Sequence, residues 1–167
     1  MFEIRRIQAE DHPFVLRLNE ENVEVLAPMD EARLEMFERI AELFYVGFAD
    51  GKPAAFLIAL REGRQEYDSE NYIWFSHNYP EFLYIDRIVI DAPFRGMGLG
   101  EQLYKEVFRH AAETGVSVVT CEVDTVPYNG PSLKFHEAMG FREVGEQFTR
   151  GGSVKVSLQA VSVSKTE

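Results

Sequence analysis

Arg95, Gly96, Met97, Gly98, Leu99 and Gly100 end an apolar run and open an amphipathic one, a placement suited to holding an anion. The start of a helix presents amide hydrogens with no intrahelical acceptor and a partial positive charge. Glycines let a bulky pyrophosphate approach the main chain, and Arg95 adds a cation nearby. A nucleotide P-loop needs Gly-Lys-Ser/Thr, which is absent, and the dinucleotide fingerprint needs G-x-G-x-x-G, whereas the spacing here is G-x-G-x-G. On these residues alone, a glycine-rich turn serving only close packing is the competing reading. Cys121 is the one thiol in the chain; within an apolar strand-like run it reads as a small core residue rather than a nucleophile.

The elements that must position these residues alternate between strand-like and helix-like patterns, which predicts one mixed α/β domain over 1–167. Residues 2–7 alternate like a first strand. Asp11 is placed to cap a helix over 11–22, with Pro13 near its first turn, and Asp30 to open another, in which Leu34, Phe37, Ile40, Ala41 and Phe44 share a face. Residues 44–49 and 53–60 around Asp50-Gly51-Lys52 read as a hairpin, with Pro53 suggesting an unpaired start. From 61 to 81 the pattern fails: polar and turn residues mix with Tyr67, Tyr72, Trp74, Phe75 and Tyr79, which reads as a loop over the core or the wall of a substrate site. A β-α-β unit follows, with a strand over 82–90, a helix over 99–114 ended by Gly115, and a strand over 116–123. A short helix over 132–139 ends at Gly140, and strands around 141–148 and 153–163, separated by Gly151-Gly152, close the chain as a hairpin.

Seventeen basic against 28 acidic residues give a formal charge of −11 with no basic cluster, so nucleic acid and anionic membranes are poor partners. A cationic amine is favoured at long range, although such a charge also serves solubility. A single cysteine permits no internal disulfide and too few thiolates for a zinc site, and no metal motif is present. The N-terminus lacks the apolar stretch of a secretory signal and no run of about 18 apolar residues occurs, so a cytoplasmic protein is expected.

With Arg95, Gly98 and Gly100 in an R-x-x-G-x-G arrangement between strand and helix, the segment resembles the acetyl-CoA pyrophosphate motif of the GNAT superfamily of acyl-CoA-dependent N-acyltransferases. A second segment, from Asn129-Gly130-Pro131-Ser132 through Phe135-His136-Glu137 to Gly140-Phe141, is similar to the family's N-x-x-(S/A)-x-x-F-(Y/H)-E-x-x-G-F pattern. The resemblance implies a mixed central sheet of about six to seven strands, splayed between the fourth and fifth and flanked by about four helices. It further implies that the backbone of Ile88, Val89 and Ile90 receives the pantetheine arm, and that the amides of Gly96, Met97, Gly98, Leu99, Gly100 and Glu101 hold the pyrophosphate. Asn129 would bind the cofactor near its thiol. The splay is expected at a bulge over 85–88, where an apolar spacing of three interrupts alternation and the Ile88 amide polarises the thioester carbonyl.

Direct acylation of an amine through a tetrahedral intermediate needs a base for the amine proton and an acid for the departing thiolate. Glu122 shares a strand face with Asp124, about 6 to 7 Å away, and like charges there, combined with partial burial, raise one pKa, so Glu122 is the candidate base. Both being solvated at the strand end is the competing reading, and Asp86, Glu81 and a water chain are rivals. His136 stands where many family members carry tyrosine and is the candidate acid, against a packing role; Tyr128 and Tyr84 are alternative phenols. Lys134 reads as solvent-facing. The resemblance therefore implies transfer of acetyl from acetyl-CoA to a primary amine, with no metal. A CoA-binding sensor that has lost turnover and an acyltransferase for longer acyl chains or hydroxyl acceptors are the alternatives, and a homodimer through the terminal strands is an expected assembly.

Overall fold

In the computed structural model, residues 1–164 are described. Seven strands form one mixed sheet: β1 (Phe2–Arg6), β2 (Leu43–Ala49), β3 (Lys52–Arg61), β4 (Leu83–Ile90), β5 (Val118–Val126), β6 (Arg142–Thr149) and β7 (Val154–Ser162), ordered β1-β2-β3-β4-β5-β7-β6. Among the described residues five α-helices accompany them: α1 (His12–Glu20), α2 (Glu31–Ile40), α3 (Glu70–Asn78), α4 (Leu99–Thr114) and α5 (Gly130–Ala138). The chain clusters into two compact units, Met1–Leu60 with Ile85–Val107, and Arg61–Tyr84 with the residues from Phe108 onward. Among the described residues no helix is long and apolar enough to cross a membrane.

The first unit is an antiparallel meander. β1 pairs with β2, and β2 with β3 around the positive-φ turn Asp50-Gly51. Pro53 is not an unpaired start: it lies opposite Phe48, and the irregularity falls one residue later, where Gly47 faces Ala55. A proline is accommodated beside such a bulge because the ladder is already interrupted there. α2 opens at Asp30, whose Oδ1 accepts from the Arg33 amide at 2.8 Å, and buries Leu34, Phe37 and Ile40. Its periodicity stops earlier than expected, because Ala41 is already extended and Phe44 belongs to β2. Asp11 does not cap α1 with its side chain; its carboxylate instead takes a two-pronged bond from Arg5 (2.7 and 3.1 Å) and the Gln8 amide (2.8 Å).

In the second unit β5 pairs antiparallel with β7, and β7 with β6, making the expected closing hairpin through Gly151 and Gly152 at positive φ. The parallel pairing of β4 with β5 is confined to Leu83 with Val119 and Tyr84 with Thr120. The stretch expected to be irregular contains a fifth helix, α3. Ser69 Oγ accepts from the Tyr72 amide, and Tyr72 and Phe75 turn inward onto Phe82 and Tyr84, with ring centroids 5.6 to 6.2 Å apart. Asn71 accepts from Gln147 at 2.8 Å, and Gly145 leaves room for Trp74, which ties α3 to β6.

Candidate active site

In the first unit, β4 carries Ile85, Arg87 and Val89 on its buried side and leaves Ile88 and Ile90 half-buried. The strand runs through a short 3-10 turn, Ala92–Phe94, capped by Asp91, whose Oδ1 accepts from the Ala92 amide at 3.0 Å. Arg95 is exposed, and its Nε donates to the Ile90 carbonyl at 3.1 Å, which braces the chain as it enters the glycines. Gly96 and Gly98 take φ of +76° and +87°, the left-handed region that glycine adopts without a Cβ penalty. A Cβ built on either meets nothing within 4 Å, so the backbone turn faces open space.

α4 begins directly afterward. The Gln102 amide donates to the Gly98 carbonyl at 3.1 Å, and the amides before it in the first turn have no helical acceptor. Leu99 is buried and anchors this turn against Gly47, whose missing side chain makes room for it. Met97 is 51% exposed, and Glu101 is exposed and pairs with Lys105 at 3.3 Å. Open, positive-φ glycines at a helix start suit a diphosphate, and the charge and donors of Arg95 stand on the same turn.

The same unit holds a buried polar network that the sequence reading missed. Arg87 donates from Nε to Asp86 at 2.7 Å and from one terminal nitrogen to Asn19 Oδ1 at 2.9 Å and the Ala27 carbonyl at 3.1 Å. Its guanidinium lies 5.1 Å from the centroid of the Phe37 ring. The apolar spacing of three over 85–88 masked it: side-chain burial alternates from Ile85 to Ile90 and puts Arg87 on the face of Ile85 and Val89, where an unpaired charge is not tolerated. Asp86, considered as a rival base, is engaged in this ion pair with a side chain 4% exposed.

In the second unit, Glu122 is half-buried on β5, and the buried Tyr84 hydroxyl donates to its Oε1. Tyr84 is held by the rings of Tyr72 and Phe75, so the phenol is fixed where the carboxylate receives it. Thr120, opposite Tyr84 on β5, is fully buried and its Oγ1 has no hydrogen-bond partner. Burial raises the Asp124 carboxyl pKa, and Arg150 acts the other way. Burial is one of the two causes expected for this pair.

Asn129 is exposed and caps α5, its Oδ1 accepting from the Ser132 amide at 3.3 Å. His136 is buried on α5, one helical turn beyond Ser132. Its Nδ1 meets the Ser132 carbonyl at 2.7 Å, its ring contacts Phe141 edge-on at 5.3 Å, and burial lowers its pKa. Cys121 is buried and burial pushes its thiol well up, as befits a core residue. Tyr128 is 77% exposed and Lys134 is exposed. Among the described residues no group of three His, Cys, Asp or Glu is arranged to hold a metal ion.

The family model for the acetyltransferase (GNAT) family matches residues 2–141. No curated protein matches. Among solved structures, the chain is similar to the ribosomal-protein-S18-alanine N-acetyltransferase from Escherichia coli, with TM-score 0.73 and 20% identity over 100% of this chain and 97% of that one. It is also similar to Ard1 from Thermoplasma volcanium, with TM-score 0.76 and 19% identity over 97% of each chain. A third likeness is to Arabidopsis thaliana NAA60 in complex with a bisubstrate analogue, with TM-score 0.75 and 16% identity over 99% of this chain and 100% of that one. These identities speak to the fold, which is shared end to end. The strand order, the glycine turn that opens α4 and the match across residues 2–141 agree, and the chain belongs to the GNAT family of acetyltransferases.

Proposed function

We propose that this acetyltransferase moves an acetyl group from acetyl-CoA to a primary amine by direct attack. The observation that carries the reading is the turn at Gly96 and Gly98, left-handed, open and set before the unpaired amides of α4. Gly96, Met97, Gly98, Leu99, Gly100 and Glu101 would hold the diphosphate through main-chain N–H groups, with Arg95 beside them. Ile88, Val89 and Ile90 would receive the pantetheine arm, and Asn129 would bind near the thiol. Acetyl-CoA supplies the thioester, whose carbonyl carbon the amine attacks.

Glu122 takes the amine proton, forming a carboxylic acid, and the departing thiolate recovers a proton from it. The new C–N bond thereby replaces the C–S bond with no net change in the protein. The Tyr84 hydroxyl holds Glu122 and balances its negative charge before the proton arrives. His136 we assign to positioning α5 rather than to acid catalysis, because its Nδ1 faces the Ser132 carbonyl and burial favours the neutral ring. A surface of charge −11 favours a cationic acceptor.

The test is release of free thiol from acetyl-CoA with a panel of primary amines, set against hydrolysis without amine. Amine-dependent release with a matching acetylated product supports the reading. Binding of acetyl-CoA with no amine-dependent release from any member of the panel would replace it with a cofactor-binding module.

A further inference from the structure

Residues 61–80 of the second unit fold around a pocket of about 590 Å³. Its walls are aromatic. Tyr67 and Tyr72 are buried and meet edge-on with centroids 5.4 Å apart, Tyr79 is half-buried, and Ile73 adds an apolar side chain that is 40% exposed. The Tyr72 hydroxyl donates to the Arg61 carbonyl at 2.7 Å and accepts from the Arg64 amide at 2.9 Å, which fixes the main chain at Arg64. The Arg64 side chain lines the pocket, and its Nε is buried without a hydrogen-bond partner. Arg64 as a whole is half-buried, so its guanidinium carries a charge and donors at the pocket wall, one of them shut off from solvent without an acceptor.

Neither acid on the lining, Glu62 or Asp68, accepts from this Nε. Glu62 is engaged with Arg61 through Nε and a terminal nitrogen at 3.0 and 3.2 Å, and with the Phe82 amide at 3.1 Å. A planar guanidinium beside flat apolar walls matches a carboxylate on a flat apolar body. We propose that this pocket binds a small aromatic carboxylate, with Arg64 donating to the carboxylate and Tyr67, Tyr72 and Tyr79 receiving the ring. Tyr72 also meets the Tyr84 ring edge-on at 5.7 Å, and Tyr84 donates to Glu122, so the pocket wall lies one ring from the proposed base. The carboxylate belongs either to the amine acceptor itself or to a separate molecule, and the recognition chemistry is the same.

Three probes of one shape separate the terms: 4-(aminomethyl)benzoate, 4-methylbenzoate and 4-methylbenzylamine, titrated calorimetrically into the intact protein. Both carboxylates are expected to bind at least about tenfold more tightly than the amine that lacks one. Arg64→Gln should remove that preference while leaving acetyl-CoA affinity unchanged, which certifies the fold. Ile73→Trp, which fills the pocket without touching Arg64, should weaken both carboxylates. Acetylation of 4-(aminomethyl)benzoate with a lower KM than 4-methylbenzylamine assigns the carboxylate to the acceptor. Binding of 4-methylbenzoate without acetylation of its aminomethyl analogue assigns it to a separate ligand. Equal affinity for all three probes, or carboxylate binding untouched by Arg64→Gln, would overturn the site. Because the cofactor titration runs in the same protein, that failure is distinct from failure of the acetyltransferase reading.

Discussion

Glu122 is the residue on which proton transfer is placed, and its partner Tyr84 determines what its loss does. Replacing it with Gln keeps the volume and a possible bond to the phenol but removes the proton acceptor. We expect Glu122→Gln to lower turnover most at low pH and least at high pH, where hydroxide already deprotonates the amine. A pH–rate profile checks this, and an equal loss at every pH would remove Glu122 as base. Asp124 gives a stability prediction with a definite sign. Burial raises its pKa above 3.8, so the folded state binds the proton more tightly than the unfolded one. The group's stabilising contribution is complete below that value and is lost as pH rises through the raised one. Asp124→Asn should therefore raise Tm at neutral pH, with the gain fading toward about pH 3, as thermal melts across pH will show. Glu122 and Asp124 were legible as a pair because alternation puts them on one face. The Tyr84 bond was not, since it joins residues 38 apart in sequence through a contact only the fold creates.

At the level of elements, most of the sheet was readable because apolar alternation and Asp-Gly or Gly-Gly turns are local signals. The helix α3 was not. Its buried face rests on Tyr72 and Phe75 alone, while Asn71, Ser76, His77 and Asn78 fill the turns between with residues equally at home in a loop. What makes it a helix is the Ser69 cap and the tertiary seat that Phe82 and Tyr84 offer its rings. That seat also includes Gly145 on β6, where an added Cβ would lie 2.5 Å from Trp74 Cζ2. Gly145→Ala should cost about 1–3 kcal/mol of stability by overpacking, measurable by denaturant unfolding, and Gly145→Ala with Trp74→Leu should recover part of it. Unchanged stability in the single variant would mean that α3 is not seated on β6 as described. Arg87 shows a further limit: an apolar spacing of three masks the alternation that buries it, and its partners Asn19, near the end of α1, and Ala27, in the segment that follows, lie 60 or more residues away.

For the whole molecule, a charge of −11 acts at long range on the approach of substrate rather than on chemistry. The KM for a cationic amine should rise several-fold between about 10 mM and 0.5 M salt, while that for a neutral analogue stays flat. Parallel salt titrations of the two amines check this, and identical salt responses would argue against electrostatic attraction of the acceptor. Membership of the GNAT family was legible from two short segments because the glycine turn and the Asn129 cap are local backbone devices. The acceptor was not, because both segments resemble the family through cofactor-binding residues, which say nothing of the group acylated. Acetyl transfer requires the α4 turn to grip the diphosphate of coenzyme A, and calorimetric titration of acetyl-CoA into the intact protein and into Gly98→Asp measures this directly. Saturable heat at one site per chain in the first and none in the second, with both proteins folded by circular dichroism, is the predicted result; equal heats in the two, or none in either, would contradict it.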